Sequence, residues 1–271
     1  MLVKEVGLLY PRGISKACHL LGTSRSSLGY RSVKNDLFLE QALSGLSSDH
    51  PREGFWKSYG RLRNKGVVVN HKKLYRIYKS IGLAMRRKYK KRLPKREKKP
   101  LVIPSKFTQS WSIDFTSDVL ENGRKFRSFN VIDDYNREVL FIEVDYSLKS
   151  SRVVWVLNHL IGRYGKPQSI RMDNGPELIA VLMIHWSKAN SITFQYIEPG
   201  KPMQNGYIER FNRTYRENVL DSYIFESLED VREITDEFVK DYNEERPHES
   251  LAGLSPVKYR EMEKQKLAVL N

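Results

Sequence analysis

One cysteine, Cys18, in 271 residues leaves no partner for a disulfide within the chain and argues against a cysteine-built zinc centre. No apolar run exceeds the seven residues from Leu178 to Ile184, whereas a bilayer-spanning helix needs roughly 20. The opening residues, MLVKEVGLLYPRG, lack the sustained apolar stretch and small-residue cleavage site of a secretory leader. A dense His/Cys ligand set, a heptad stretch and an internal repeat are missing too. These absences fit a soluble protein of a reducing cytoplasm. Hydrophobic residues at 40% and aromatics at 11% supply a sizeable core, which excludes wholesale disorder.

What the chain has in excess is positive charge, and it is localised. The formal net charge is +15. Residues 51–99 hold 19 Lys or Arg against Glu53 and Glu97, a net of +17, while residues 1–50 carry +2 and residues 100–271 carry −4. One part of the chain is built to meet a polyanion, for which a phosphate backbone is the commonest partner. A membrane-binding basic segment would need a wider apolar face.

Residues 1–49 contain ISKACHLLGTSRSSLGYR, in which Ile14, Ala17, Leu20 and Leu21 fall at helical spacing before Gly22. The pattern is that of a helix-turn-helix, with Arg25 and Ser26 near the start of the second helix, although a plain helical hairpin reads much the same. Residues 50–90 alternate bulky apolar and basic residues. Leu74, Ile77 or Tyr78, and Ile81 form an apolar stripe, with Lys72, Lys73, Arg76 and Lys79 on the other faces. Residues 91–104 carry too much like charge to pack and read as a basic linker.

From residue 105 the texture becomes α/β. SWSIDFTSDVL, KFRSFNVIDDYN and REVLFIEVDYS read as three consecutive strands. Two further short strands, QSIRMDNG (168–175, ending in a turn) and SITFQYIEP (191–199), alternate with helices at 150–164, 176–190 and 203–220, and another helix follows at 228–245. This predicts a mixed five-stranded sheet with flanking helices over 105–222 and a helical extension over 223–271, preceded by a small basic all-helical region.

Three acids stand where chemistry is plausible. Asp114 lies mid-strand among apolar neighbours, Asp173 ends the strand IRMD before Asn174-Gly175, and Glu209 sits on a helix beside its buried stripe of Ile208, Phe211, Tyr215 and Val219. Hard oxygen donors of this kind suit Mg²⁺ or Mn²⁺. Each also has a plain structural role: Asp114 on an exposed edge, Asp173 as a turn former, Glu209 paired with Arg213. Asp118, Asp133 and Asp134 are rivals, the last two within a polar turn between the second and third strands.

Spacing and context decide among them: 58 residues separate Asp114 from Asp173, and 35 separate Asp173 from Glu209. With WSIDFT, FNVIDDYNREVL, IRMDNGPE, QYIEPGKPMQNGYIERFNRTYRENVLD and YNEERPHESLAGLSPVKY in this order, the chain resembles the DDE transposases and retroviral integrases. It is most similar to second-reading-frame products of the insertion-sequence three family of bacteria. Upstream, GFWKSYGRLRNKGVVVNHKKLYRIYKSIGL resembles that family's basic helical module.

The resemblance implies a ribonuclease H-like core in which Asp114, Asp173 and Glu209 bind metal. It further implies that Arg210, Arg213 and Arg216 face DNA, and that no structural zinc is needed. Two ions about 3.5–4 Å apart would hold the attacking and leaving oxygens of an in-line phosphoryl transfer, with Asp114 on the central strand as the bridging ligand. Double-stranded DNA, further copies of the chain and a first-reading-frame product are the implied partners, in a bacterial, nucleoid-associated setting. A DNA-binding repressor, a scaffold remnant and a nuclease of RNA–DNA hybrids are the rival readings. The complete acid set opposes the first two, and the basic N-terminal half opposes the third.

Overall fold

The computed structural model describes residues 2–28, 35–84, 104–198 and 202–269, so the expected basic linker lies, apart from Pro104, outside the described residues. Residues 1–42 and 43–271 form two compact units. In the first, α1 (Leu2–Leu9), α2 (Ile14–Leu20) and α3 (Arg25–Leu28) pack around Val3, Ala17 and Cys18. Gly22, at φ +61°, makes the left-handed turn between α2 and α3. Arg25 and Ser26 are exposed on α3, which spans a single turn among the described residues.

Helix α4 (Leu37–Asp49) is followed by α5 (Phe55–Asn64) and α6 (His71–Ser80). Helix α6 is started by Asn70, whose side chain accepts from the Lys72 backbone N–H at 2.8 Å. It buries Leu74, Ile77 and Tyr78 and leaves Lys72, Lys73, Arg76 and Lys79 exposed, as the stripe requires. Helix α5 turns its inner face to the C-terminal segment: the Lys57 ammonium donates to the Pro247 carbonyl, and Asn64 Nδ2 donates to the Gly253 carbonyl at 3.2 Å.

The sheet consists of β1 (Ser110–Val119), β2 (Lys125–Asp133), β3 (Val139–Asp145), β4 (Ser169–Met172) and β5 (Thr193–Tyr196), in the order β3-β2-β1-β4-β5. The first three strands are antiparallel, and β4 and β5 run parallel to β1. This is the mixed five-stranded, helix-flanked architecture that the resemblance implies. Strand alternation sends side chains to two cores. On one face Trp111, Ile113, Phe129 and Val131 meet α7 (Ser150–Tyr164) and α8 (Val181–Asn190). On the other, Phe126, Ile132, Ile142 and Val144 meet α9 (Gly206–Tyr215) and α10 (Leu228–Glu244), with α11 (Pro256–Val269) beyond.

Two helix starts differ from the sequence expectation. The helix expected from Pro176 begins at Val181, because the backbone before it is engaged elsewhere. The carbonyl of Glu177 accepts from Ser150 Oγ at 2.8 Å, that of Leu178 lies 3.4 Å from the Tyr196 hydroxyl, and Leu178 is fully buried. The helix expected over 203–220 is three pieces: a 3₁₀ turn at Pro202–Asn205, α9, and a π turn at Arg216–Leu220. Its stripe of Ile208, Phe211, Tyr215 and Val219 is buried as expected.

Candidate active site

Asp114 stands in the middle of β1, opposite Asn130 on β2, on the sheet face covered by α9. Helix α9 also carries Glu209 in its first turn. The parallel register of β1 and β4 sets Ser112 beside Arg171. Asp173 follows directly on the last residue of β4, and its charge reaches Asp114. The topology thus delivers one acid from the central strand, one from the loop at the end of its neighbour and a third from the covering helix.

The electrostatics record that convergence. Asp114 is pushed up to about 6, by burial first and then by the negative charges of Asp173 and Glu209. The Phe115 backbone N–H and the Asn212 side-chain amide pull the other way, donating to its carboxylate at 2.8 and 2.7 Å. Glu209 is raised by burial, with Arg213 opposing. Asp173 accepts from the Gly175 backbone N–H at 3.1 Å. A Cβ at position 175 would sit 3.1 Å from that same carboxylate oxygen, which accounts for glycine in the turn.

A hydrogen-bond relay supports Asp114, and sequence reasoning did not find it. Asn130, fully buried, donates through Nδ2 to Asn212 Oδ1 at 2.8 Å and to Thr116 Oγ1 at 2.9 Å, and Asn212 in turn donates to Asp114. The signal available was the spacing of Asn212 three residues after Glu209, one helical turn along the same face. The loop bearing Asp173 is held as well. Glu177 pairs with Arg127 of β2, whose guanidinium lies 4.3 Å from the centre of the Phe115 ring.

The rival acids are occupied. Asp133 accepts backbone N–H bonds from Thr108 and Tyr135, at 2.7 and 2.8 Å. Asp134 accepts from Ser110, Ser112 and Arg171. Asp118 lies 3.7 Å from Arg216. Of the cations expected to face DNA, Arg210 and Arg213 are exposed. Arg216 instead donates to the Ser117 carbonyl at 2.8 Å and also lies 3.7 Å from Asp221. Asn205, just before α9, is buried and donates to the Ile113 carbonyl at 3.5 Å.

A second acidic cluster also has the composition of a metal centre: ligand atoms of His50, Glu53 and Asp241 lie within 4.8 Å of one another. Its cations are already present. Arg61, 3% exposed, donates to Glu53 at 2.8 and 2.9 Å and to both Asp241 oxygens at 2.7 Å, and Arg246 donates to Glu53 at 2.5 Å. Guanidinium groups fill the space a metal would need. The Asp114 site has the opposite character: among the described residues, Asp114 and Asp173 receive only the uncharged donors Phe115, Asn212 and Gly175. Repelling carboxylates with hard oxygen donors and amide support fit a magnesium-type ion.

The family pattern described as integrase core domain matches residues 104–202 and, in a second form, 190–256. The insertion element IS407 uncharacterized 31.7 kDa protein of Burkholderia multivorans is 35% identical over 247 residues, covering 90% of this chain and 89% of that protein. The insertion element IS476 uncharacterized 39.2 kDa protein of Xanthomonas euvesicatoria is 35% identical over 253 residues, covering 92% and 72%. Among solved structures, the HTLV-2 integrase catalytic core domain in complex with magnesium is 18% identical, with a TM-score of 0.45, covering 57% of this chain and 97% of that one.

Proposed function

The chain belongs to the DDE transposases with an integrase-like core, a family that cleaves DNA and transfers strands, and on that premise we propose that Asp114, Asp173 and Glu209 are its catalytic carboxylates. The observation that carries the assignment is that Asp173 and Glu209, far from Asp114 in sequence, lie near enough for their charges to act on its carboxylate, which burial first raises. Magnesium or manganese, as one ion or a pair, is the cofactor that this donor set suits. Held by the three acids, it supplies Lewis-acid stabilisation of charge on the attacking and leaving oxygens of a phosphodiester.

The chain's own residues do the positioning. Asn212 and the Phe115 N–H fix the Asp114 carboxylate, the Gly175 turn fixes Asp173, and α9 presents Glu209 with Arg210 and Arg213 toward an incoming phosphate. No protein nucleophile is needed: the nucleophile is water for cleavage and a DNA 3′-hydroxyl for joining. Lys72, Lys73, Arg76 and Lys79 on α6 contact the duplex backbone, and Arg25 and Ser26 meet base edges of the element end. Further copies of the chain assemble on the DNA, and a first-reading-frame product joins them.

The test is cleavage and joining of DNA carrying the element ends, with Mg²⁺ or Mn²⁺ present and absent. Asp114→Asn, Asp173→Asn and Glu209→Gln should each remove both activities while leaving DNA binding intact. Near-normal strand transfer by any one of them would remove that residue from the triad.

A further inference from the structure

Away from the three acids, a cleft of about 560 Å³ opens between α5 and the 247–254 segment. Trp56, Tyr59 and Arg63 line one wall, and His248, Glu249 and Gly253 the other. That size falls within the roughly 300–1,000 Å³ of small-ligand sites, large enough for one nucleotide and too small for a duplex. The walls are fixed to each other by the Lys57–Pro247 and Asn64–Gly253 hydrogen bonds. Gly60 allows the close approach, since a Cβ there would lie 2.8 Å from the Pro247 ring.

Three properties of the lining point to one class of ligand. Trp56 leaves 57% of its surface to solvent although Phe55, Tyr59 and His71 surround it with rings at 5.2–5.9 Å between centroids. An indole braced by neighbouring rings and more than half exposed is a stacking platform. The setting is cationic: Arg63 is exposed above the Tyr59 ring, and Lys57 is pushed down to about 8, by burial first and then by Arg246, with Arg210 contributing. The wall also offers a hydrogen-bonding group. Glu249 is exposed on that wall, where its carboxylate can accept from a base edge. Arg210, whose charge reaches both Lys57 and His248, directly follows Glu209, so the cleft lies beside the helix that carries the third acid.

We propose that this cleft holds a single unpaired nucleotide of a DNA strand, its base stacked on Trp56 and its phosphate met by Arg63. The proposal deepens the transposase reading and rests on it: a strand crossing the acids reaches the cleft along α9. Stacking is tolerant of base identity, so the site selects unpaired nucleotides over paired ones without selecting sequence.

The test compares binding of the full-length chain to a fluorescein-labelled blunt duplex and to the same duplex with three unpaired nucleotides at one end. Free dAMP serves as competitor, and 2-aminopurine at the unpaired position serves as reporter. The unpaired end is expected to bind about tenfold more tightly, by the stacking of one base, with the reporter quenched. Trp56→Ala should abolish both effects and Trp56→Phe should retain them, each with unchanged blunt-duplex affinity. Trp155→Ala, an exposed tryptophan on α7, should change nothing. An undiminished preference in Trp56→Ala, or dAMP displacing the reporter as well as unpaired DNA does, would overturn the strand site. Tight duplex binding without a preference would overturn the cleft alone, and no DNA binding at all would overturn the transposase reading with it.

Discussion

Replacing Asn212 by leucine removes the one side-chain hydrogen bond that Asp114 receives among the described residues, while keeping the approximate volume and the α9 helix. A hydrogen bond to a charged group contributes about 1.5–3 kcal/mol. At about 1.4 kcal/mol per factor of ten, that is roughly 10–150-fold in any equilibrium that requires the carboxylate in place. Two features set the expectation at the lower end. The Phe115 N–H still holds Asp114 at 2.8 Å, and Asn130 keeps its Thr116 contact when Asn212 is lost. Loss of an outer partner of a metal-binding carboxylate typically costs 10–100-fold in metal affinity, so about 10–30-fold weaker Mn²⁺ binding is expected for Asn212→Leu. Titrating the Mn²⁺ electron-paramagnetic signal would measure this without reference to activity. Global stability should change by under about 1 kcal/mol, because the position is half-buried. Mn²⁺ affinity within twofold of the wild type would refute the relay as a support for Asp114.

Arg61→Met removes a buried guanidinium and leaves Glu53 with Arg246 alone. Breaking such a pair costs about 3–5 kcal/mol, and the value near 3 is expected at pH 7.5 by urea denaturation. Burial pushes Glu53 up, but Arg61 and Arg246 together hold it below its ordinary value, so this stability is present above the unfolded pKa and is lost as pH falls through the folded one. The difference between Arg61→Met and wild type should therefore shrink below about pH 4.5, and a pH-independent difference would contradict the network. Asp133 is pushed up to about 7, by burial first and then by Asp134 and Glu138, so the folded chain keeps a proton that the unfolded chain has lost. Wild-type stability should fall between about pH 4 and 7 more steeply than that of Asp133→Asn, with strand transfer largely retained; equal slopes would sink this reading. Gly175→Ala should displace the Asp173 carboxylate and weaken Mn²⁺ binding several-fold, checked by the same titration, since the added methyl meets its oxygen at 3.1 Å. If about six phosphates are contacted, log affinity for duplex DNA should fall against log salt with a slope near −5. Reversing charge at Lys72, Lys73, Arg76 and Lys79 together should flatten that slope and weaken all sequences equally; an unchanged slope on anisotropy titration would exclude α6 from the backbone contact.

Much of the catalytic half was legible because its periodicities are strong. Alternation of Trp111, Ile113 and Phe115 in WSIDFT is period two, KFRSFNVID is rich in apolar strand formers, and the Ile208–Phe211–Tyr215–Val219 stripe is helical. The start of α8 was not legible, because Pro176 is a good first helical residue locally and only tertiary hydrogen bonds from Ser150 and Tyr196 override it. Arg61 read as one more basic residue in a basic segment. Its burial depends on Glu53 and on Asp241, 180 residues away, a pairing that no local pattern encodes. The same holds for Asn130 and for the cleft against 247–254: both are made by segments far apart in the chain. Asp133 and Asp134 read as a polar turn; Asp133 ends β2 and Asp134 opens the turn. Their complete burial follows from donors on other segments, Thr108, Ser110, Ser112 and Arg171.

Two acidic clusters have the composition of a metal centre, one of them filled by guanidinium groups, and a crystal of the chain soaked in Mn²⁺ distinguishes them through anomalous scattering. A peak bounded by Asp114, Asp173 and Glu209, absent in Asp114→Asn, is the expected result. A peak at His50, Glu53 and Asp241, or an Asp114→Asn crystal that binds Mn²⁺ at the triad as the wild type does, would contradict the assignment of the catalytic carboxylates.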